Sequence, residues 1–273
     1  MTFVAGGRTA AGGAIPLAIA LLLVCHCGPT PSPTAGSESE TPGGWNPACL
    51  DQLLMHHVRA GLVDYAALRS DPGLEECSKM LASTDVERMQ GRSERLAFWI
   101  NAYNLLALKG VADAYPVRSI REIGVLGRST FFRGLRFRVG SRERTLDTIE
   151  HKILRSGFHE ARIHFALASA SRGGPRLRSS IYHAETLDSE LDDAAREFIS
   201  DPAKVRLDRE AAVLYLSPVF DWFAEDFERA AGSREEFVRR FLPEADAELP
   251  GRRAVSVRYL DFDWALNDLH PAP

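Results

Sequence analysis

The run Leu96-Ala-Phe-Trp-Ile-Asn-Ala-Tyr-Asn-Leu-Leu-Ala-Leu108 is apolar nearly all round. A helix of that kind has no face to offer water, so it belongs in the middle of a domain. Ser93 stands where its hydroxyl can cap the helix, and Pro116 stands where it must stop. The rest of the chain has to supply walls around it.

Those walls read as amphipathic helices with a few separated strands. Asn46-Pro47 starts a helix through Leu50, Leu53, Leu54 and Val58 that ends at Gly61, and a second helix runs from Pro72 to Ala82. Leu135-Arg-Phe-Arg-Val139 alternates strictly ahead of Gly140-Ser141, the pattern of a strand entering a hairpin. Thr145 caps a helix over Leu146–Leu154, and Ile163–Leu167 reads as a buried strand. Further helices are expected at Leu187–Ile199, Val219–Ala230 and Arg234–Phe241, with strands at Val205–Leu207, Val213–Leu216 and Ala254–Tyr259. The expected fold class is α+β, a helix-rich single domain with a small mixed or antiparallel sheet around a buried central helix.

Composition narrows the function classes. The 273 residues hold 33 Lys+Arg against 37 Asp+Glu, a net charge of −4, which gives no electrostatic reason to expect nucleic acid. The four cysteines are Cys25, Cys27, Cys49 and Cys77. Their confinement to the first third excludes a Cys-rich zinc module, an iron–sulfur protein or a dense disulfide scaffold in the body of the chain. Cys49 and Cys77 are either a pair across the first two helices or two half-buried thiols.

Arg8 followed by the apolar run Ile15–Val24 is too short for a comfortable membrane span and reads as a secretory signal over residues 1–27. Cys25 and Cys27 lie where a lipoprotein signal places its acylated cysteine, although Val24 and His26 replace the small residues expected there. Residues 28–47 are rich in Pro, Ser, Thr and Gly and read as a tether, leaving 48–273 as one globular domain. The expected location is the cell envelope, lipid-anchored or otherwise periplasmic or secreted. Membrane contact is expected only through that anchor.

Candidate chemistry is thinly marked. Asn101 and Asn104 share a face of the central helix and must be hydrogen-bonded, to orient a catalytic loop or imidazole or to tie loop backbone to the core. Trp99 lies on the same helix. His151 is a candidate base. The turn Ser169-Ala-Ser-Arg-Gly-Gly-Pro175 offers a hydroxyl at Ser169, a second at Ser171 and a cation at Arg172, without the spacing of a phosphate-binding loop or of a Gly-x-Ser-x-Gly elbow. Asp263 sits in an acidic–aromatic segment near the carboxy terminus. The scattered histidines, His164 among them, lack zinc-helix spacing. No metal or cofactor is expected.

The blocks Ala97–Leu106, Leu146–Leu154, Arg162–Leu167 and Asp261–Asn267, supported by Val63–Tyr65, Ser119–Ile123, Phe220–Phe223 and Asp226-Phe227, resemble in this order the family called domain of unknown function 547. The resemblance extends over residues 50 to 268. Typical members follow the Arg-Ile-His-Phe-Ala-Leu strand with a segment like Asn-Cys-Ala-Ser-x-x-Cys-Pro. Here Ala168 replaces the Asn, Ser169 the first cysteine and Gly174 the second. The resemblance implies that any thiolate chemistry of the family is lost in this chain.

The leading expectation is an exported, degenerate hydrolase- or transferase-like cleft that binds a small molecule or an envelope protein without turnover. The alternative is an active hydrolase or acyltransferase. Ser169 is then the nucleophile and His151 the base, and Asn101 and Asn104 are the orienting or oxyanion-stabilising amides; Arg172, Ser171, Trp99 and Asp263 contact substrate. A thiol redox protein is the remaining alternative.

Overall fold

A computed structural model of the chain describes residues 44–124, 130–242 and 256–271. The expected signal, Cys25, Cys27 and most of the expected tether lie outside the described residues. Trp45, within the last residues of the expected tether, is buried and meets Phe98 edge-on.

Helices dominate, and the fold is α+β. The first helix, α1 (Ala48–His57), stops short of Gly61 because Val58–Arg59 (β1) and Leu62–Val63 (β2) form a two-stranded hairpin. Asp64 caps α2 (Tyr65–Arg69), accepting from the Ala67 amide at 2.9 Å. Asp71 and Pro72 open α3 (Pro72–Ser83) with a side-chain cap and a proline in its first turn. A disulfide joins Cys49 of α1 to Cys77 of α3, with Cα atoms 5.8 Å apart. The central helix α4 (Arg92–Ala114) buries sixteen residues from Leu96 to Ala112. Its cap is Gly91, two residues before the expected Ser93, with Glu94 reaching back to the Gly91 amide.

Beyond α4, β3 (Phe137–Val139) and β4 (Arg142–Arg144) form the expected hairpin. Thr145 accepts from the Thr148 amide at the start of a wide, π-type helix, Thr148–Arg155, which runs into the short α5 (Ser156–Phe158). The expected strand at 163–167 is instead a 3-10 helix, Ala161–Phe165, opened by the Glu160 side chain accepting from the Arg162 amide. A short unbroken apolar run has no period to separate helix from strand, and here the local cap settles it.

The carboxy-terminal part holds α6 (Leu187–Ser200) and a three-stranded sheet of β5 (Val205–Asp208), β6 (Val213–Leu216) and β7 (Ser256–Tyr259). In that sheet β5 and β6 are antiparallel, with Val205 opposite Leu216, and β6 and β7 are parallel. The helix expected over 219–230 is broken into α7 (Val219–Trp222) and α8 (Ala224–Ala231), because Phe223 leaves helical geometry at φ −119°, ψ 27°. Helix α9 (Arg234–Arg239) follows. Among the described residues no helix is long and apolar enough to cross a membrane.

Two apolar clusters result. One surrounds α4. The other is built of rings, with Phe165, Phe198, Phe220, Phe227 and Phe237 in mutual contact. The Ala161–Ala168 segment feeds both, giving Ile163 to the first and Phe165 to the second. His164 therefore sits in the seam.

Candidate active site

A cavity of about 450 Å³ opens at that seam. Its polar lining is Arg133, Asp147, Glu150, His151, His164 and Ser169; Tyr103, Phe132, Trp222, Phe223, Phe262 and Trp264 give it aromatic walls.

His164 is fixed from three sides. Its side chain is 1% exposed, the Phe223 ring stacks on it at 3.8 Å, and Nε2 lies 2.8 Å from Asp226 Oδ2. The break between α7 and α8 is what delivers Phe223 to that position. Burial opposes ionisation of Asp226, yet hydrogen bonds from His164 and from Arg155 Nε, 2.5 Å away, hold its carboxyl well below the usual carboxylate range. An ionised carboxylate only accepts, so Nε2 carries the proton and Nδ1 keeps a lone pair. Burial pushes the imidazole down to about 4, against the pull of Asp226, so it is neutral at ordinary pH. Nδ1 is buried and has no hydrogen-bond partner.

Ser169 Oγ is the second orphan, buried and without a partner. The loop that carries it is held by backbone. Arg172 N donates to Ala265 O at 2.9 Å, Gly173 N to Asp263 O at 2.8 Å, and Asn267 N to Ala170 O at 3.2 Å. Gly173 has to be glycine, since a Cβ there would lie 2.7 Å from the Asp263 amide nitrogen. Ala170 turns the chain in the left-handed region at φ +55°, a conformation that costs an L-residue about 1 kcal/mol. A Cβ at Gly174 would collide with Ser169 Oγ. The two positions where the resemblance expects cysteines therefore touch.

Glu150 is the third polar group on the wall. Its side chain is 13% exposed, and Oε1 lies 3.8 Å from His164 Nδ1, too far for a hydrogen bond. Burial pushes the carboxyl up to about 7; the Arg155 guanidinium opposes this while Asp147 and Asp226 add to it. His151 differs from His164 in that its lone pair is taken: Arg155 Nη1 donates to Nδ1 at 2.9 Å. Burial lowers its basicity, with Asp147 opposing.

The other residues singled out from sequence do not line the cavity. Asn101 brackets one residue, donating to Tyr182 O at 2.8 Å and accepting from Tyr182 N at 2.9 Å. Asn104 donates to Ala166 O at 3.0 Å and accepts from Ala168 N at 2.9 Å, clamping the backbone that links His164 to Ser169. Trp99 is buried under the Arg144 guanidinium. Ser171 Oγ donates to Ser169 O, Arg172 Nε to Leu266 O, and Asp263 accepts from the Ala265 amide. No motif spacing in the sequence marks Glu150, Asp226 or His164 as chemistry. A histidine inside an apolar run, five residues before the serine, was the available signal. Among the described residues no group of three or more His, Cys, Asp or Glu is arranged to hold a metal.

No curated protein and no solved structure matches the chain. Residues 86–199 match one family model, so Asn104, Glu150, His164 and Ser169 fall inside the match, while Phe223, Asp226, Phe262 and Trp264 fall outside it. Over those residues the chain is similar to the family described as protein of unknown function, DUF547.

Proposed function

We propose that this chain is an exported acyl hydrolase or acyltransferase in which Ser169 is the nucleophile, His164 its base and Asp226 the group that fixes the imidazole. The observation that carries this reading is the pair of buried orphan atoms, Ser169 Oγ and His164 Nδ1, on the wall of one cavity. A serine hydroxyl is a weak nucleophile unless a base can take its proton, and the Asp226 contact leaves Nδ1 as the basic nitrogen. His151 is displaced from the role of base because Arg155 occupies its lone pair. Asn104 acts at one remove, holding the backbone between base and nucleophile.

Export is supported by the basic, apolar leader and by the Cys49–Cys77 disulfide, a bond that persists in oxidising compartments. Cys25 or Cys27 is the proposed point of lipid attachment.

A fluorophosphonate probe tests the chemistry. Labelling of the wild-type chain that disappears in Ser169→Ala and His164→Ala is the expected result. A second reading, a binding cleft without turnover, is favoured by the lack of a hydrogen bond from Ser169 Oγ to any base. An unlabelled wild-type chain that still binds carbonyl ligands would replace the first reading with the second.

A further inference from the structure

The cavity wall contains a carboxyl group that the proposed triad does not use. Glu150 makes no hydrogen bond among the described residues, although it lines the same cavity as Ser169 and His164. A carboxylic acid so placed has one O–H to give and, among the described residues, no acceptor within hydrogen-bond distance, His164 Nδ1 lying 3.8 Å away. We propose that Glu150, in its neutral acid form, donates the hydrogen bond that receives the carbonyl oxygen of the bound ligand. This deepens the acyl-transfer reading and rests on it for the reaction step, though not for the binding contact.

The groups around Glu150 are consistent with that form. On its own helix Asp147 disfavours a second negative charge and Arg155 favours one, with His151 at the next position. From α4, Tyr103 faces it, and burial together with the charge of Glu150 raises the phenol. His164 is neutral, and Asp226 adds negative charge from α8. Arg133, at the rim, is paired with Asp147 at 2.9 Å. With burial acting first, the carboxyl titrates near 7 and is largely protonated below that pH.

The step balances within the ligand and these side chains. Ser169 Oγ bonds to the carbonyl carbon and its proton passes to His164 Nδ1. The π pair moves onto the carbonyl oxygen, which the Glu150 O–H stabilises without giving up its proton. Collapse re-forms the carbonyl, and the leaving group departs with the proton from His164. A preorganised donor aimed at a developing oxyanion is worth about 10²–10³-fold in kcat. An ionised Glu150 would repel that oxygen.

Binding of benzamide, read by tryptophan fluorescence because Trp222 and Trp264 line the cavity, tests the contact independently of turnover. In Ser169→Ala, affinity for benzamide should fall about tenfold or more between pH 6 and pH 8.5, following the protonated fraction of Glu150. Replacing Glu150→Gln in that background keeps a neutral donor and should leave affinity flat with pH. A flat profile with Glu150 present, an unchanged fall in Glu150→Gln, or no benzamide binding at pH 6 would each overturn the proposal. Thermal unfolding of both proteins shows that each is folded. If the wild-type chain escapes the phosphonate while the benzamide profile behaves as expected, the acyl-transfer reading fails and the Glu150 contact stands.

Discussion

Asn101 and Asn104 on the central helix and Glu150, His164 and Ser169 on the cavity wall are all shielded from bulk water, yet the fold treats the two sets in opposite ways. Each asparagine amide closes on both a backbone carbonyl and a backbone amide. The cavity groups keep an unpaired oxygen, an unpaired nitrogen and a carboxyl that makes no hydrogen bond among the described residues. Leaving a buried polar atom unpaired costs about 1–3 kcal/mol. The contrast separates residues that build the protein from residues held ready for a ligand, and it can be broken by substitution.

The largest expected effect is at Asp226. Asp226→Asn removes the acceptor that fixes the His164 tautomer, and the rate of phosphonate labelling of Ser169 should drop by about 10³-fold or more. A drop of only a few-fold would show that the imidazole is not the working base. Next comes Asn104→Ala, which orphans Ala166 O and Ala168 N and should destabilise the chain by about 2–4 kcal/mol in a urea titration. A loss below about 0.5 kcal/mol would put Asn104 among the ligand-facing groups.

A smaller effect separates Glu150 by pH. Its folded-state pKa, about 7, lies above the unfolded value. The stability linked to its neutral form is therefore complete in mild acid and lost as pH rises through 7. Glu150→Gln should then gain about 1–3 kcal/mol over wild type at pH 8.5 and little at pH 5, measured by denaturation at both. His164 has the opposite sign: its pKa is depressed to about 4, so the stability tied to its neutral form is lost as pH falls from 6.5 towards 4. The smallest effect belongs to Ser169→Ala, expected within about 0.5 kcal/mol of wild type, since a hydroxyl with no partner contributes no hydrogen bond to the fold.

How much of this was legible in the sequence follows from how local each signal is. The apolar run of α4, the alternation into the β3–β4 hairpin and the spacing along α6 are short-range patterns, and those elements lie close to where they are expected. The segment 161–165 carries no period, and its helical form depends on a cap at Glu160. The break at Phe223 depends on packing against His164, fifty-nine positions earlier in the numbering. Ser169 as a candidate was readable from its loop. The choice of His164 over His151 was not, because it turns on which lone pair Arg155 occupies.

The carboxy-terminal segment has a consequence for when the site comes into being. Tyr65 OH donates to Asn267 Oδ1, Val63 N donates to Asn267 O, and Trp264 and Phe262 wall the cavity that Ser169 lines. The two Asn267 contacts join residues about two hundred positions apart. A chain still emerging from the ribosome would carry the serine, the histidine and the glutamate with no pocket to hold them. Even a complete copy of residues 86–199 would lack Asp226 and two of the aromatic walls. Any catalytic or binding competence thus requires residues 262–267 to be in place against the segments that carry Glu150, His164 and Ser169.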